Sequence, residues 1–179
     1  GFKLMRNFNH PYFSQNVTQF WRNWHISLST WFMDYIYIPL GGSRKGRIRT
    51  YVNLFITFMV SGLWHGAAWT FVIWGGLHAF YQVVGVLIKK PRGKLYAKLK
   101  LDENSRGVTM WKRGVTFILV DFAWIFFRAN TIEDGFEIIK RLFATGWGVG
   151  LLETVSGMGI GLVSALTVVL TIGTLIMID

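Results

Sequence analysis

Two histidines stand where an imidazole could do chemistry. His65 lies within residues 51–88, a stretch without Asp, Glu, Lys or Arg, and Trp64 and Trp69 flank it. Ionisable groups in such apolar surroundings usually mark function in a membrane. A neutral imidazole there could take a proton from a hydroxyl group, which is worth about 10²–10⁴ in rate. The alternative is a buried histidine that only forms structural hydrogen bonds.

The other histidines carry weaker signals. His25 has Arg22 and Ser29 about one helical turn away, and a polar face of this kind either lines a cavity or pairs with another helix. His78 would point away from His65 on a continuous helix, so a packing role is favoured. The spacing of the histidines does not resemble that of a zinc site such as H-E-x-x-H, and no metal site is predicted.

The element that carries His25 can be read from periodicity. Residues 17–37 show an aromatic stripe and a polar stripe at 100° per residue, which predicts one continuous helix inside a bundle or at a membrane interface. Asn23, Ser27 and Asp34 lie on the polar stripe, and we expect Asp34 to hold a polar network there.

Composition places the chain among membrane proteins. Hydrophobic residues make up 52% of the sequence, and the mean hydropathy is +0.38. A bilayer needs about 20 apolar residues per helix, so residues 51–88 suit two shorter segments with a break near Gly62 and Gly66. We expect residues 154–178 to form one span. Residues 114–127 are shorter and contain Asp121, so they are either a span extended by its neighbours or a segment buried against other helices. The predicted fold is an all-α, polytopic transmembrane helical bundle with interfacial and re-entrant helices.

The positive charge is clustered beside the apolar segments. The net charge is +10, and basic residues concentrate in residues 44–49 and 89–113, the latter read as a linker. The positive-inside rule assigns both clusters to the cytoplasm, against anionic lipid and not nucleic acid. Residues 51–88 must then enter the membrane and return, with His65 near the tip.

The remaining local signals are a capped helix and the absence of cysteine. Asn130 or Thr131 could cap a helix over residues 132–143 whose apolar side chains recur at helical spacing, so we expect it to lie along the membrane interface. The sequence has no cysteine, which excludes disulfides and Cys-ligated metals.

Two runs of the sequence are distinctive: FWRNWHISLSTWFMDYIYIPLGGSRKG, residues 20–46, and SGLWHGAAWTFVIWG, residues 61–75. Both resemble the bacterial membrane-bound O-acyltransferases that acetylate alginate and other cell-surface polymers. Residues 4–14 and 122–143 also resemble that family. The resemblance implies a single membrane domain over residues 1–179, the C-terminal part of a longer multi-pass protein of the bacterial inner membrane.

The same resemblance implies roles for individual residues. His65 corresponds to the family's principal catalytic histidine, and His25 to the histidine of its WHIS motif. Met33 stands where relatives often have a basic residue, so no role is carried over to that position.

The implied reaction is transfer of an acyl group, most simply acetyl. The donor would be a cytoplasmic thioester such as acetyl-CoA, with no bound cofactor, and a periplasmic partner acyltransferase would complete delivery to a polysaccharide acceptor. Asn23 and Ser61 could donate hydrogen bonds to the oxyanion. The donor's phosphates could bind the basic loop, that is Arg44, Lys45 and Arg47.

Other functions fit parts of the sequence. A D-alanyl transferase of the same superfamily would take its acyl group from a carrier protein. A transport subunit would use His25 and His65 to line a path through the membrane, but no internal repeat typical of transporters is found. A non-catalytic scaffold would use the two histidines only for packing.

Overall fold

A computed structural model describes residues 4–144, and every regular element in that part of the chain is a helix. The all-α prediction is confirmed. The chain divides into two compact units, Gly1–Gly135 and Phe136–Asp179. After a short 3₁₀ turn at Pro11–Phe13, the elements in chain order are α1 (Val17–Asn23), α2 (Ile26–Phe32), a π-helix (Met33–Tyr37), α3 (Arg47–His65), α4 (Trp69–Lys98), α5 (Arg106–Arg128) and α6 (Ile132–Ala144).

The predicted single helix over residues 17–37 is wrong, because the chain breaks between α1 and α2. Trp24 is extended (φ −108°, ψ 127°), and His25 adopts the left-handed conformation (φ 44°, ψ 57°). A left-handed residue cannot continue a right-handed helix. The break therefore ends α1 and makes His25 the N-cap residue of α2.

Helices α3 and α4 form an antiparallel hairpin with His65 at its tip, as predicted. Gly66 ends α3 with φ 164° and ψ 161°. The two helices cross where Gly62 faces Gly75: a Cβ atom placed on Gly62 would lie 3.6 Å from the Cα of Gly75 and would collide with the carbonyl oxygen of Phe71. The missing side chains allow the close approach of the two backbones.

Helix α4 is longer than predicted, and the reading of residues 89–113 as a linker is wrong. The helix continues through Pro91 to Lys98, and α5 begins at Arg106. Tertiary packing supports the extension, because Tyr96 is buried and the Lys112 ammonium of α5 lies 5.6 Å from the centre of its ring. Packing of this kind overrides local helix-breaking signals.

Within residues 4–144, α4 is the one helix long and apolar enough to cross a membrane by length and composition. The predicted short segment 114–127 lies inside α5. The predicted span 154–178 lies outside the described residues.

The predicted helix over residues 132–143 is confirmed as α6. The Asp134 amide donates to the Thr131 hydroxyl at 3.1 Å, and the Thr131 amide donates to the Asp134 carboxylate at 3.2 Å. This reciprocal arrangement is a capping box with Asp at the fourth position. Phe143 is exposed on the same helix as the Arg141–Glu137 ion pair (3.0 Å), so α6 is amphipathic.

Candidate functional site

The structure brings His25 and His65 to the same cavity, although they belong to different elements. The cavity has a volume of about 380 Å³. Its wall is otherwise almost entirely aromatic, with Tyr12, Trp21, Trp24, Leu28, Trp74, Trp124 and Phe127. Two imidazoles therefore meet at one cavity whose wall is otherwise apolar and mostly aromatic.

His65 is held at the end of α3 by ring contacts. Its imidazole lies edge-on to Trp74 at 5.2 Å and to Phe127 at 5.0 Å, and it stacks with Phe71 at 6.2 Å between ring centres. Trp74 is fully buried. These contacts fix the plane of the imidazole ring while leaving the residue half-buried, so its edge remains accessible from the cavity.

His25 reaches the cavity because the chain turns at the break between α1 and α2. Its Nδ1 atom lies 3.5 Å from the Ser27 hydroxyl, and its ring lies 6.1 Å from that of Phe8. The imidazoles of His25 and His65 are close enough to interact electrostatically. In a continuous helix the side chain of His25 would point elsewhere. The break between α1 and α2 therefore places this imidazole at the cavity.

A second cavity of about 400 Å³ lies behind the first. Trp21 and Leu28 line both cavities, so the two cavities adjoin at these residues. Thr50, Leu54, Thr57, Phe58 and Ser61 contribute to its wall, so the second cavity follows α3 from its basic first turn to about one turn before His65.

His78 fixes the position of Trp21, which lines both cavities. The Trp21 indole donates a hydrogen bond from Nε1 to Nδ1 of His78 at 3.2 Å. His78 is fully buried and packs edge-on against Trp74 at 5.0 Å between ring centres. The predicted packing role of His78 matches this position, and the packing extends to the site because Trp21 lines it.

The supporting residues predicted from the sequence lie elsewhere. The Asn23 amide donates to the Ser14 hydroxyl at 3.3 Å, and Ser61 lines the second cavity. Asp34 is exposed in the π-helix. Neither Asn23 nor Asp34 lines either of the two cavities described here.

The predicted phosphate-binding residues lie far from His65. Arg44 and Lys45 are exposed in the turn before α3, and Arg47 is the first residue of that helix. At a rise of 1.5 Å per residue, Arg47 and His65 are about 27 Å apart along α3. These cations could meet only the distant end of a long donor that reaches the cavity.

Sequence reasoning missed Tyr12 as a site residue. Burial raises the pKa of the Tyr12 phenol above its usual value, and the nearby Asp121 carboxylate raises it further. The phenol therefore remains a hydrogen-bond donor at neutral pH. Tyr12 lies in the short Pro11–Phe13 turn, and no local periodicity marks it; only its place in the resembling segment 4–14 could have drawn attention to it.

Among residues 4–144, no three or more His, Asp or Glu side chains are grouped so that they could hold a metal ion. Two histidines at one apolar cavity are an arrangement that can transfer protons.

The family can be assigned by comparison. The family model of the membrane-bound O-acyltransferases matches residues 2–132, which include both histidines and every residue that lines the first cavity. The chain belongs to the membrane-bound O-acyltransferase family.

The chain is also similar to three kinds of transferase. A probable alginate O-acetylase, AlgI, of Pseudomonas putida is 40% identical over 173 residues, which is 96% of this chain and 33% of that protein. A peptidoglycan O-acetyltransferase of Helicobacter pylori is 41% identical over 140 residues, 78% of this chain and 25% of that protein. A teichoic acid D-alanyltransferase of Bacillus subtilis is 32% identical over 134 residues, 71% of this chain and 33% of that protein. The chain thus spans a quarter to a third of the length of these relatives.

Proposed function

We propose that the protein containing this chain is an O-acyltransferase that moves an acetyl group from a thioester donor to hydroxyl groups of an extracytoplasmic polysaccharide such as alginate. The observation that carries the proposal is the meeting of His25 and His65 at one aromatic cavity, within a chain of this family. The two relatives with the higher identity are named as O-acetyl transferases, which favours acetyl over other acyl groups.

In the proposed reaction His65 is the general base. Its imidazole takes the proton of the accepting hydroxyl as that oxygen attacks the thioester carbonyl carbon. The new C–O bond forms, the C–S bond breaks, and the proton passes from the imidazolium of His65 to the departing thiolate. The aromatic wall suits this chemistry because it offers few hydrogen bonds to the water that would otherwise hydrolyse the thioester.

His25 and Tyr12 act in this proposal on the oxygen that becomes negative. The contact with the Ser27 hydroxyl occupies Nδ1 of His25 and leaves Nε2 to face the substrate. The Tyr12 phenol is protonated at neutral pH at its usual pKa of about 10, and burial, which raises that pKa, keeps it so. Donors of this kind, placed in an apolar cavity, stabilise a developing oxyanion. In this proposal His25 and Tyr12 replace Asn23 and Ser61, which the sequence predicted as the donors to the oxyanion.

The acyl donor enters, in this proposal, from the basic end of the hairpin. Arg44, Lys45 and Arg47 would hold the phosphates of acetyl-CoA there. The second cavity follows α3 from Thr50 to Ser61 and would accommodate the arm that carries the thioester. No bound cofactor is needed, since the donor is itself a substrate.

The remaining parts of the proposal concern location and partners. The family is membrane-bound, and α4 has the length and composition of a membrane span. We place the protein in the bacterial inner membrane with several passes and with both basic clusters in the cytoplasm. A periplasmic acyltransferase would then carry the acetyl group to the polymer.

The test uses membranes that contain the full-length protein, the periplasmic partner and the polymer. Acetyl-CoA labelled in the acetyl group should label the polymer with an ester that mild alkali releases, and His65→Ala should abolish the labelling. Leu63→Ala is the matched control. Leu63 precedes His65 by about half a turn of α3, its side chain is exposed, and it lines neither cavity.

Three outcomes would overturn the proposal. Labelling only from a D-alanyl carrier protein would make the protein a D-alanyl transferase. Solute flux that requires His65 without any ester would indicate transport. Equal labelling by wild type and His65→Ala would leave the histidine with a packing role in a scaffold.

A further inference from the structure

The segment before the first helix is tied to the helix break that carries His25. The Ile26 amide donates to the carbonyl oxygen of Asn7 at 2.9 Å, and the Asn9 amide donates to the carbonyl oxygen of Asn23 at 2.9 Å. Residues 7–9 therefore bond to the chain on both sides of His25. We call residues 7–9 the strap.

The side chain of Asn7 adds the decisive contact. Its Oδ1 atom accepts a hydrogen bond from the Ser27 amide at 3.0 Å. Ser27 is the second residue of α2, and its amide is one of the groups that an N-cap side chain ordinarily satisfies. Asn7 thus supplies the cap of α2 from a distant part of the sequence.

His25 occupies the N-cap position itself but forms no capping hydrogen bond with its side chain. At most N-caps, the residue's own side chain turns back to the first amides of the helix. Because Asn7 performs that task, the imidazole of His25 is free to face the cavity. Asn7 therefore caps the helix, and His25 is left for the chemistry.

The strap also opposes an unfavourable backbone conformation. His25 is left-handed at φ 44°, which a non-glycine residue keeps only where its surroundings enforce it. Phe8 lies between the two bonding residues of the strap, and its ring meets those of Trp24 at 5.0 Å and His25 at 6.1 Å. Hydrogen bonds and ring contacts therefore act on the same two residues of the break.

We infer that Asn7 is a positioning residue for the acyl-transfer reaction, which holds His25 in its left-handed conformation and directs its imidazole into the cavity. The inference rests on the proposed function, since it acts through His25. Asn7 lines neither cavity and has no contact with the reacting atoms.

The test compares variants of the full-length protein in membranes with labelled acetyl-CoA and the polymer. Asn7→Ala should lower the maximal rate about tenfold and leave the half-saturating acetyl-CoA concentration unchanged, within the range by which misplacement slows catalysis. Asn7→Asp keeps an oxygen acceptor for the Ser27 amide and should restore the rate to within about threefold of wild type.

A matched control separates positioning from general stability. Asn16 caps α1 in the same way, with its Oδ1 atom accepting from the Gln19 amide at 2.8 Å, but it does not touch His25. Asn16→Ala should lower thermal stability as much as Asn7→Ala does, without a comparable loss of rate. An equal loss of rate in both variants would overturn the inference.

Two further measurements decide the outcome. In a His25→Ala background, Asn7→Ala should cause no additional loss, whereas a multiplicative loss would overturn the inference. Hydrogen exchange over residues 24–30 should become faster in Asn7→Ala, and unchanged exchange would also overturn it.

The two levels of failure are distinguishable. A slow His25→Ala variant together with a fully active Asn7→Ala variant refutes the inference alone. A fully active His25→Ala variant refutes the role of His25 in the proposed function and, with it, the inference.

Discussion

Gly62 of α3 and Gly75 of α4 face each other at the crossing of the hairpin. A Cβ atom on Gly62 would collide with the carbonyl oxygen of Phe71, and one on Gly75 would collide with that of Phe58. Both obstacles are backbone atoms, which cannot turn aside as a flexible side chain can. The crossing lies one turn before His65, so the position of the imidazole depends on it.

Replacement of Gly62 by Ala should therefore destabilise the hairpin. Overpacking of this kind costs about 1–3 kcal/mol, and displacement of His65 should lower acetyl transfer as well. Gly85→Ala is the control, because a Cβ atom there meets nothing within 4 Å, and alanine favours a helix over glycine. Thermal unfolding in detergent should show a lower midpoint for Gly62→Ala and no decrease for Gly85→Ala. A Gly62→Ala protein as stable as wild type would show that the crossing tolerates a methyl group.

Asn53 holds the turn that precedes α3. It is fully buried, and its Nδ2 atom donates to the carbonyl oxygens of Gly42 at 2.9 Å and Leu40 at 3.2 Å. Asn53→Leu leaves both carbonyls without this donor, at a cost of about 1–3 kcal/mol. Trypsin should then cleave faster after Arg44 and Lys45.

The control for Asn53 is Thr50→Val. The Thr50 hydroxyl donates to the carbonyl of Gly46 at 2.9 Å near the protein surface, where water can replace it. Trypsin should cleave Thr50→Val at nearly the wild-type rate. Equal cleavage of Asn53→Leu and wild type would contradict the role assigned to Asn53.

His78 should behave as a residue of the wall and not as a base. His78→Phe keeps a ring in the buried space but removes the acceptor for the Trp21 indole, so Trp21 becomes less well fixed between the cavities. We expect the initial rate of acetyl transfer to fall by about tenfold or less, against the 10²–10⁴ typical of a lost general base. Phe80→Leu, at an exposed position of the same helix, should be unaffected. A loss in His78→Phe as large as that in His65→Ala would assign His78 to the chemistry.

The basic loop should govern donor affinity. Reversing Arg44, Lys45 and Arg47 to Glu should raise the half-saturating acetyl-CoA concentration about tenfold and leave the maximal rate unchanged, because a basic patch concentrates an anionic substrate. The dependence on ionic strength should weaken in parallel. Lys140→Glu, at an exposed position of α6, provides the control. Unchanged donor affinity in the reversed variant would remove the phosphate-binding role from this loop.

The hairpin and α6 could be predicted from the sequence because their signals are local. Absence of charge, with Gly62 and Gly66, marked the tip that carries His65, and the Thr131 cap marked α6. Neither signal depends on a distant partner. Local patterns of this kind are the most reliable basis for assigning elements.

The break at His25 and the length of α4 could not be predicted, because distant contacts decide them. Helical periodicity continues through residues 17–37, but the cap of α2 comes from Asn7, far earlier in the chain. Similarly, Pro91 indicated a linker, whereas Tyr96 packs against Lys112 of α5 and sustains the helix. The aromatic wall of the cavity is assembled from several elements in the same way. Its residues could therefore not be predicted from local patterns, although His25 and His65 could.

The proposed reaction depends most directly on the proton-accepting role of His65. His65→Gln keeps a polar side chain of similar reach but cannot take a proton, so it separates chemistry from packing. At equal amounts of folded full-length protein, we expect acetyl transfer to the polymer to fall at least about 100-fold relative to both wild type and Leu63→Ala. A His65→Gln rate within about twofold of wild type would contradict the assignment of His65 as the acyl-transfer base.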